Sequence, residues 1–111
     1  MQVTENKNND ILVFDVDGDI DINSSPEIRK IFDKPIREKA MKIVVNLSSV
    51  SYMDSSGLAT LVEMLKKTRT YGGKLRLSNL SAKVKSLFEI TKLEKLFEIF
   101  ETKEEAIADF N

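Results

Sequence analysis

Apolar and polar positions follow two different periods along the chain, and the switches between them lay out its elements. Ile11-Leu12-Val13-Phe14-Asp15-Val16 is a β-rich run, preceded by the turn signal Asn8-Asn9-Asp10 and by a short edge strand from Val3 to Lys7. That spacing predicts a hairpin. Gly18 punctuates the second strand and Ile20 continues it. Ile28, Ile31, Phe32 and Ile36 then recur at helical spacing behind Ser24-Ser25-Pro26-Glu27. With Ser25 as N-cap, Pro26 falls at the first helical position; with Ser24 as N-cap, Glu27 completes a capping box. Pro35 cannot donate to the helical ladder and clashes with the preceding turn, so a kink or a second helix start is expected near Asp33.

A third strand over Met41 to Leu47 has Ile43-Val44-Val45-Asn46-Leu47 as its apolar part. Beyond it, Leu58, Leu61, Val62 and Leu65 form the core stripe of a second helix that opens near Ser55 or Ser56 and stops at Gly72-Gly73. Ala59, Thr60, Glu63, Lys66 and Lys67 take its other faces. Lys74-Leu75-Arg76-Leu77-Ser78 alternates as a half-buried strand. Ser81 caps a third helix with Val84, Leu87 and Phe88 pointing inward, and Leu96 to Phe100 is a last short strand. Thr102 and Glu105 form a capping box for a C-terminal helix whose apolar side is Ala106, Ile107 and Phe110. The order ββαβαβαβα predicts an α/β fold: a mixed, mostly parallel β-sheet packed with about four helices, an antiparallel pair at the start and right-handed crossovers.

Composition narrows the chemistry. A chain of 111 residues suits one domain over 1–111. Seventeen basic and eighteen acidic residues leave a net charge of −1 and no like-charge block, which argues against direct nucleic-acid binding. With no Cys and no His, the thiolate, the usual metal ligand and the usual general base are all missing. No catalytic residue, metal site or cofactor is assigned. No apolar run approaches the roughly 20 residues of a membrane span, and Met1 to Asp10 is too polar for a signal peptide. The expectation is a cytoplasmic protein.

The candidate chemistry lies in Tyr52-Met53-Asp54-Ser55-Ser56-Gly57-Leu58, a small-residue turn between a strand and a helix. The first N–H groups of a helix lack intrahelical partners, and the aligned peptide dipoles leave roughly half a positive charge there. A phosphate on Ser55 or Ser56 is tolerated at such a place. The plain reading is that one serine only caps the helix. Two adjacent serines weaken it, because one cap needs only one hydroxyl, and the local pattern leaves open which of Ser55 and Ser56 would carry a phosphate. Gly57 either leaves room for a partner's backbone or nucleotide, or serves turn chemistry alone. Asp54 either orients a hydroxyl or partner group, or complements the helix dipole. Asp21, Asn23 and Ser24 follow a strand and precede a helix, which puts them on the same sheet edge as Ser55.

Asn46-Leu47 followed by Met53-Asp54-Ser55-Ser56-Gly57-Leu58 resembles the phosphorylation motif of the anti-sigma factor antagonists, small bacterial proteins with the STAS fold. Gly18-Asp19-Ile20-Asp21, Gly72-Gly73-Lys74-Leu75 and Val84-Lys85-Ser86-Leu87-Phe88 are similar to further family segments. The resemblance implies a single STAS domain whose unmodified form binds an anti-sigma factor serine kinase and thereby releases a sigma factor. It implies that the kinase, with ATP bound on it, phosphorylates Ser55, and that a metal-dependent serine phosphatase restores binding. The protein is then a substrate and not an enzyme. Asp21, Asn23, Ser24, Asp54, Ser56, Gly57 and Leu58 are the expected partner-binding residues, and with the phosphate placed on Ser55, Ser56 is also expected to be the N-cap or first helical residue.

Other readings compete. Ile11 to Asp19 resembles the nucleophile motif of haloacid-dehalogenase-type phosphatases, with Asp15 and Asp17 as nucleophile and acid/base and Ser48 as a phosphate binder. Asp19 stands where Thr is usual, and no paired carboxylates follow downstream for a metal. Asp15, Asp17, Asp19 and Asp21 also hint at a calcium loop, but Gly18 and Pro26 fall where an EF-hand does not allow them. A STAS-like regulatory or scaffold module of a signalling or transport complex is the remaining alternative.

Overall fold

The computed structural model describes residues 1–110. The elements run β1 (Gln2–Asn8), β2 (Ile11–Asp17), α1 (Ser25–Arg37), β3 (Lys42–Ser49), α2 (Ser55–Arg69), β4 (Lys74–Ser78), α3 (Ala82–Ile90), a 3₁₀ turn (Leu93–Lys95), β5 (Glu98–Phe100) and α4 (Lys103–Ala108). The expected order ββαβαβαβα is the observed one. The strands form one five-stranded sheet in the order β1-β2-β3-β4-β5. β1 and β2 are an antiparallel hairpin, and every later pair is parallel.

Because β2, β3 and β4 run parallel, their carboxyl ends share one edge, and the turns into α1, α2 and α3 gather there. One face of the sheet carries the main core. Phe14, Val16, Val45, Leu47, Leu75 and Leu77 pack against Ile28 and Phe32 of α1, Leu58, Leu61 and Leu65 of α2, and Val84 and Phe88 of α3. The other face has a smaller cluster, in which Ile11, Val13 and Val44 are covered by Ala106 of α4.

Several local expectations give way to tertiary context. α1 is one helix through Pro35, which lies in the last turn, where the missing N–H interrupts little of the ladder. Ser24 is the N-cap residue, one of the two expected positions, but its side chain makes no cap bond and no capping box with Glu27 forms. Asp21 closes the turn ahead of the helix instead: its Oδ1 accepts from the Asn23 and Ser24 N–H groups, and its carbonyl accepts from the Ser25 N–H. The last strand is shorter than Leu96 to Phe100, because Leu93–Lys95 forms a 3₁₀ turn ahead of Glu98–Phe100. On α2, Val62 is only partly buried, whereas Thr60, Met64 and Thr68 are buried. The two threonines satisfy their hydroxyls on the Ser56 and Met64 carbonyls, which lets a polar residue face the core. Ser81 and Thr102 cap α3 and α4, accepting from Val84 and Glu105.

β4 is not half-buried. Leu75, Arg76, Leu77 and Ser78 are all buried. The Arg76 guanidinium lies under α4, 3.7 Å from the Phe110 ring centroid, and donates to the Ala106 carbonyl and the Asp109 carboxylate. A charge is tolerated there because it is paired and hydrogen-bonded.

The turns entering α1 and α2 are bound to one another. The Ile20 N–H donates to the Tyr52 carbonyl at 3.1 Å, and the Asp54 N–H donates to the Ile20 carbonyl at 3.2 Å, a parallel bridge between Ile20 and Met53. The start of α2 presses on the same carbonyl at Gly57. A methyl group on Gly57 would collide with the Ile20 oxygen. Close approach of backbone to backbone is what glycine permits here.

Two outcomes check this packing by chemical denaturation. Leu61→Ala should destabilise the fold by about 2 to 5 kcal/mol, since Leu61 is 1% exposed in the main core. Gly57→Ala should cost about 1 to 3 kcal/mol by overpacking at a backbone contact that cannot rotate away. A negligible loss in either variant would contradict the placement of that residue.

Candidate functional site

The Asp54 carboxylate sits at the junction of the two turns. Asp54 is in the extended conformation, as an N-cap requires, and its Oδ1 accepts from the Gly57 N–H at 2.9 Å. Its Oδ2 accepts from the Ile22 N–H at 3.1 Å, across 32 residues of sequence. One side chain therefore caps α2 and holds the loop ahead of α1.

That assignment corrects the expectation for Ser56. Ser55 is the first helical residue, Ser56 the second, and the cap is Asp54. An aspartate preceding two serines competes equally well for the N-cap, and the extra bond to Ile22 decides in its favour. The consequence falls on the serines. Ser55 is exposed, and its hydroxyl has no hydrogen-bond partner among the described residues. The Ser55 and Ser56 N–H groups likewise lack a partner among the described residues, because the Asp54 side chain takes Gly57 and its carbonyl takes Leu58. A free hydroxyl thus stands beside free donors at the positive end of a 15-residue helix.

The remaining sequence-selected residues divide into surface and support. Asn23 is exposed, and Asp21, Asp54 and Ser56 are half-buried. Ser24 is buried, with its hydroxyl donating to the Asp19 carbonyl at 2.7 Å and accepting from the Asp21 N–H at 3.0 Å. Gly57 and Leu58 are buried beneath the turn, Leu58 as part of the main core. The side chains of Ser24 and Leu58 thus support the surface from below. Sequence reasoning missed two residues of that surface: Ile22 is 68% exposed and Tyr52 is 42% exposed. Their signal was faint, since each is an apolar residue in a polar loop. The Lys83 ammonium lies 5.4 Å from the Tyr52 ring centroid, which places the start of α3 beside the same turn.

Asp15 and Asp17 do not assemble a phosphatase centre. The Asp15 carboxylate accepts from Asn46 at 2.7 Å and Asn6 at 3.1 Å and lies 3.5 Å from the Lys103 ammonium, so it belongs to a polar network that ties β1, β2, β3 and α4. Ser48 is exposed, and its N–H is turned onto the Asn46 side chain. Among the described residues no three acidic side chains group to hold a metal ion, and no helix is long and apolar enough to cross a membrane.

Comparison with known proteins adds the family. A model described as the STAS domain matches residues 2–106. The anti-sigma-B factor antagonist of Bacillus subtilis is 38% identical over 99 residues, which is 89% of this chain and 88% of that relative. A crystal structure from Thermotoga maritima, of a protein described as a candidate anti-sigma factor antagonist, has a TM-score of 0.92 at 25% identity, covering 96% of this chain and 92% of that one. The phosphorylated form of the Bacillus cell-fate determinant SpoIIAA has a TM-score of 0.78 at 23% identity over 99% of this chain and 100% of that one, a likeness of fold. The named relatives are regulators rather than enzymes, which removes the phosphatase reading. A fold shared from β1 to α4 and a close relative aligned over most of both chains place this protein in the STAS-domain family of anti-sigma factor antagonists.

Proposed function

We propose that this protein is a cytoplasmic partner switch whose whole chain, 1–111, acts as one STAS domain. Unmodified, it binds an anti-sigma factor that is itself a serine kinase, and the sigma factor is released. The kinase uses the ATP bound on it to phosphorylate Ser55, the modified protein lets go, and a metal-dependent serine phosphatase removes the phosphate. The observation that carries this reading is the Ser55 hydroxyl: exposed, without a hydrogen-bond partner among the described residues, and relieved of capping by Asp54.

The chemistry of the turn supports such a switch. Phosphorylation adds about −1.5 to −2 charges and three acceptor oxygens. At the first position of α2 those oxygens meet the helix dipole and the free Ser55 and Ser56 N–H groups, so the fold accepts them. On the partner's side the same charge is unfavourable wherever the interface is apolar or acidic. Ile22 and Tyr52 give the surface apolar anchors, and Asn23, Asp21, Asp54 and Ser56 give it polar ones. Ser24, Gly57 and Leu58 contribute by holding the loops in register. Each 1.4 kcal/mol lost is about tenfold in affinity, so a modest like-charge and desolvation cost suffices to end the complex.

Incubation with ATP and a lysate of the source organism should place one phosphate in the peptide from Ile43 to Lys66, resolved by fragmentation to Ser55. Ser55→Ala should abolish that label while changing stability by less than about 0.5 kcal/mol, as for other exposed positions. Label persisting on Ser56, or no label at all, would sink the assignment. Ser55→Asp should lose binding to the kinase in a pull-down yet unfold within about 1 kcal/mol of the parent, because its charge sits at a helix N-terminus. A Ser55→Asp protein that binds normally would show that charge at this position does not control the complex.

A further inference from the structure

Every backbone N–H from Ile20 to Ser25, across the loop that enters α1, has an acceptor. Ile20 donates to the Tyr52 carbonyl, Asp21 to the Ser24 hydroxyl, Asn23 and Ser24 to the Asp21 carboxylate, and Ser25 to the Asp21 carbonyl. The Ile22 N–H depends on a side chain from outside the loop, the Asp54 carboxylate at 3.1 Å. The Ile22 side chain is nevertheless 68% exposed. A loop locked in this way has already lost the backbone freedom that binding would otherwise cost it. At its middle it holds out a branched aliphatic group, whose burial by a partner is favourable and needs no further ordering of the backbone.

Given the kinase complex proposed above, we infer that Ile22 is its apolar anchor, entering an aliphatic or aromatic socket on the kinase, and that Asp54 is a positioning residue acting on affinity through Ile22. The two oxygens of Asp54 have separate tasks: Oδ1 holds the Gly57 N–H and Oδ2 the Ile22 N–H. The carboxylate thus fixes Ile22 relative to Ser55, the next residue in the chain, and the anchor and the phosphate acceptor reach the kinase in one register. Ile90, the last residue of α3, is the matched control: it is the same side chain, 79% exposed, and belongs to no such junction.

The test is a double-mutant cycle on the affinity of the full chain for the purified kinase that labels Ser55, read by calorimetry. Ile22→Ala should weaken binding about tenfold or more, and Ile90→Ala by less than about twofold. Asp54→Asn keeps the shape and a good N-cap but has one acceptor oxygen where two are used. Amide exchange at Ile22 should therefore speed up about tenfold while Gly57 stays protected, and kinase affinity should fall about threefold to tenfold. In the Ile22→Ala background the same change should cost less than about twofold, because the side chain it positions is gone. Additive losses would overturn the inference by showing that Asp54 meets the kinase directly. So would unchanged exchange at Ile22 in Asp54→Asn, or equal losses from Ile22→Ala and Ile90→Ala. Ile22 is exposed, so Ile22→Ala keeps the anchor testable even if Asp54→Asn disturbs folding. A parent chain and an Ile22→Ala chain that bind the kinase equally well would refute the anchor and leave the proposed function standing. No label on Ser55 and no kinase bound by the parent chain would remove the proposed function itself, and the anchor with it.

Discussion

The Asp54 carboxylate is the constraint on which the edge of this molecule depends. Its two oxygens accept from Gly57 and Ile22, so the start of α2 and the loop before α1 are held by one charged group with short bonds to backbone N–H. The Ile20 carbonyl completes the junction, taking the Asp54 N–H from one side and packing against Gly57 from the other. Two loops that would otherwise move independently become a single surface. The arrangement also has a chemical consequence, since a helix capped by aspartate leaves the following serine hydroxyls without structural duty.

Parallel topology makes that junction possible. β2 and β3 are neighbours running the same way, so the loops that leave them emerge side by side at the carboxyl edge. Open α/β sheets place their binding surfaces at this edge for the same reason. The core beneath is dense where it matters, with Ile20, Met53 and Leu58 joining the main cluster directly under the turns. A group on such a scaffold is presented rigidly. A charge added at Ser55 would then act on whatever docks there, and the fold would not need to rearrange.

The second face of the sheet is stabilised by different physics. α4 has only six residues, too few to hold its helical form alone, and it is pinned at both ends by charge. Lys103 reaches Asp15 at its start, while Arg76 takes the Ala106 carbonyl and Asp109 at its end with the Phe110 ring stacked on the guanidinium. Glu98 lies 3.5 Å from the same guanidinium. A planar cation that both stacks and forks is suited to this place, and lysine would satisfy fewer of these contacts.

Much of this protein was legible along the chain: the order of elements, the opening hairpin and the core residues Leu58, Leu61 and Leu65 in the periodicity, the caps Ser81 and Thr102 in residue type, and the family resemblance in the motif Asp54-Ser55-Ser56-Gly57. Those features depend on residues within a turn or two of each other, where spacing and propensity decide. The tertiary structure decided the rest. It chose Asp54 over Ser56 as the cap of α2, turned the Ser24 hydroxyl away from α1 onto the Asp19 carbonyl, buried Arg76 and Thr60, and left Ile22 and Tyr52 in the open. For Asp54 and Arg76 a distant group settled the outcome: the Ile22 N–H for the first, α4 for the second. Sequence spacing carries no record of a partner 32 residues away, because that proximity exists only once the sheet has brought the two turns together.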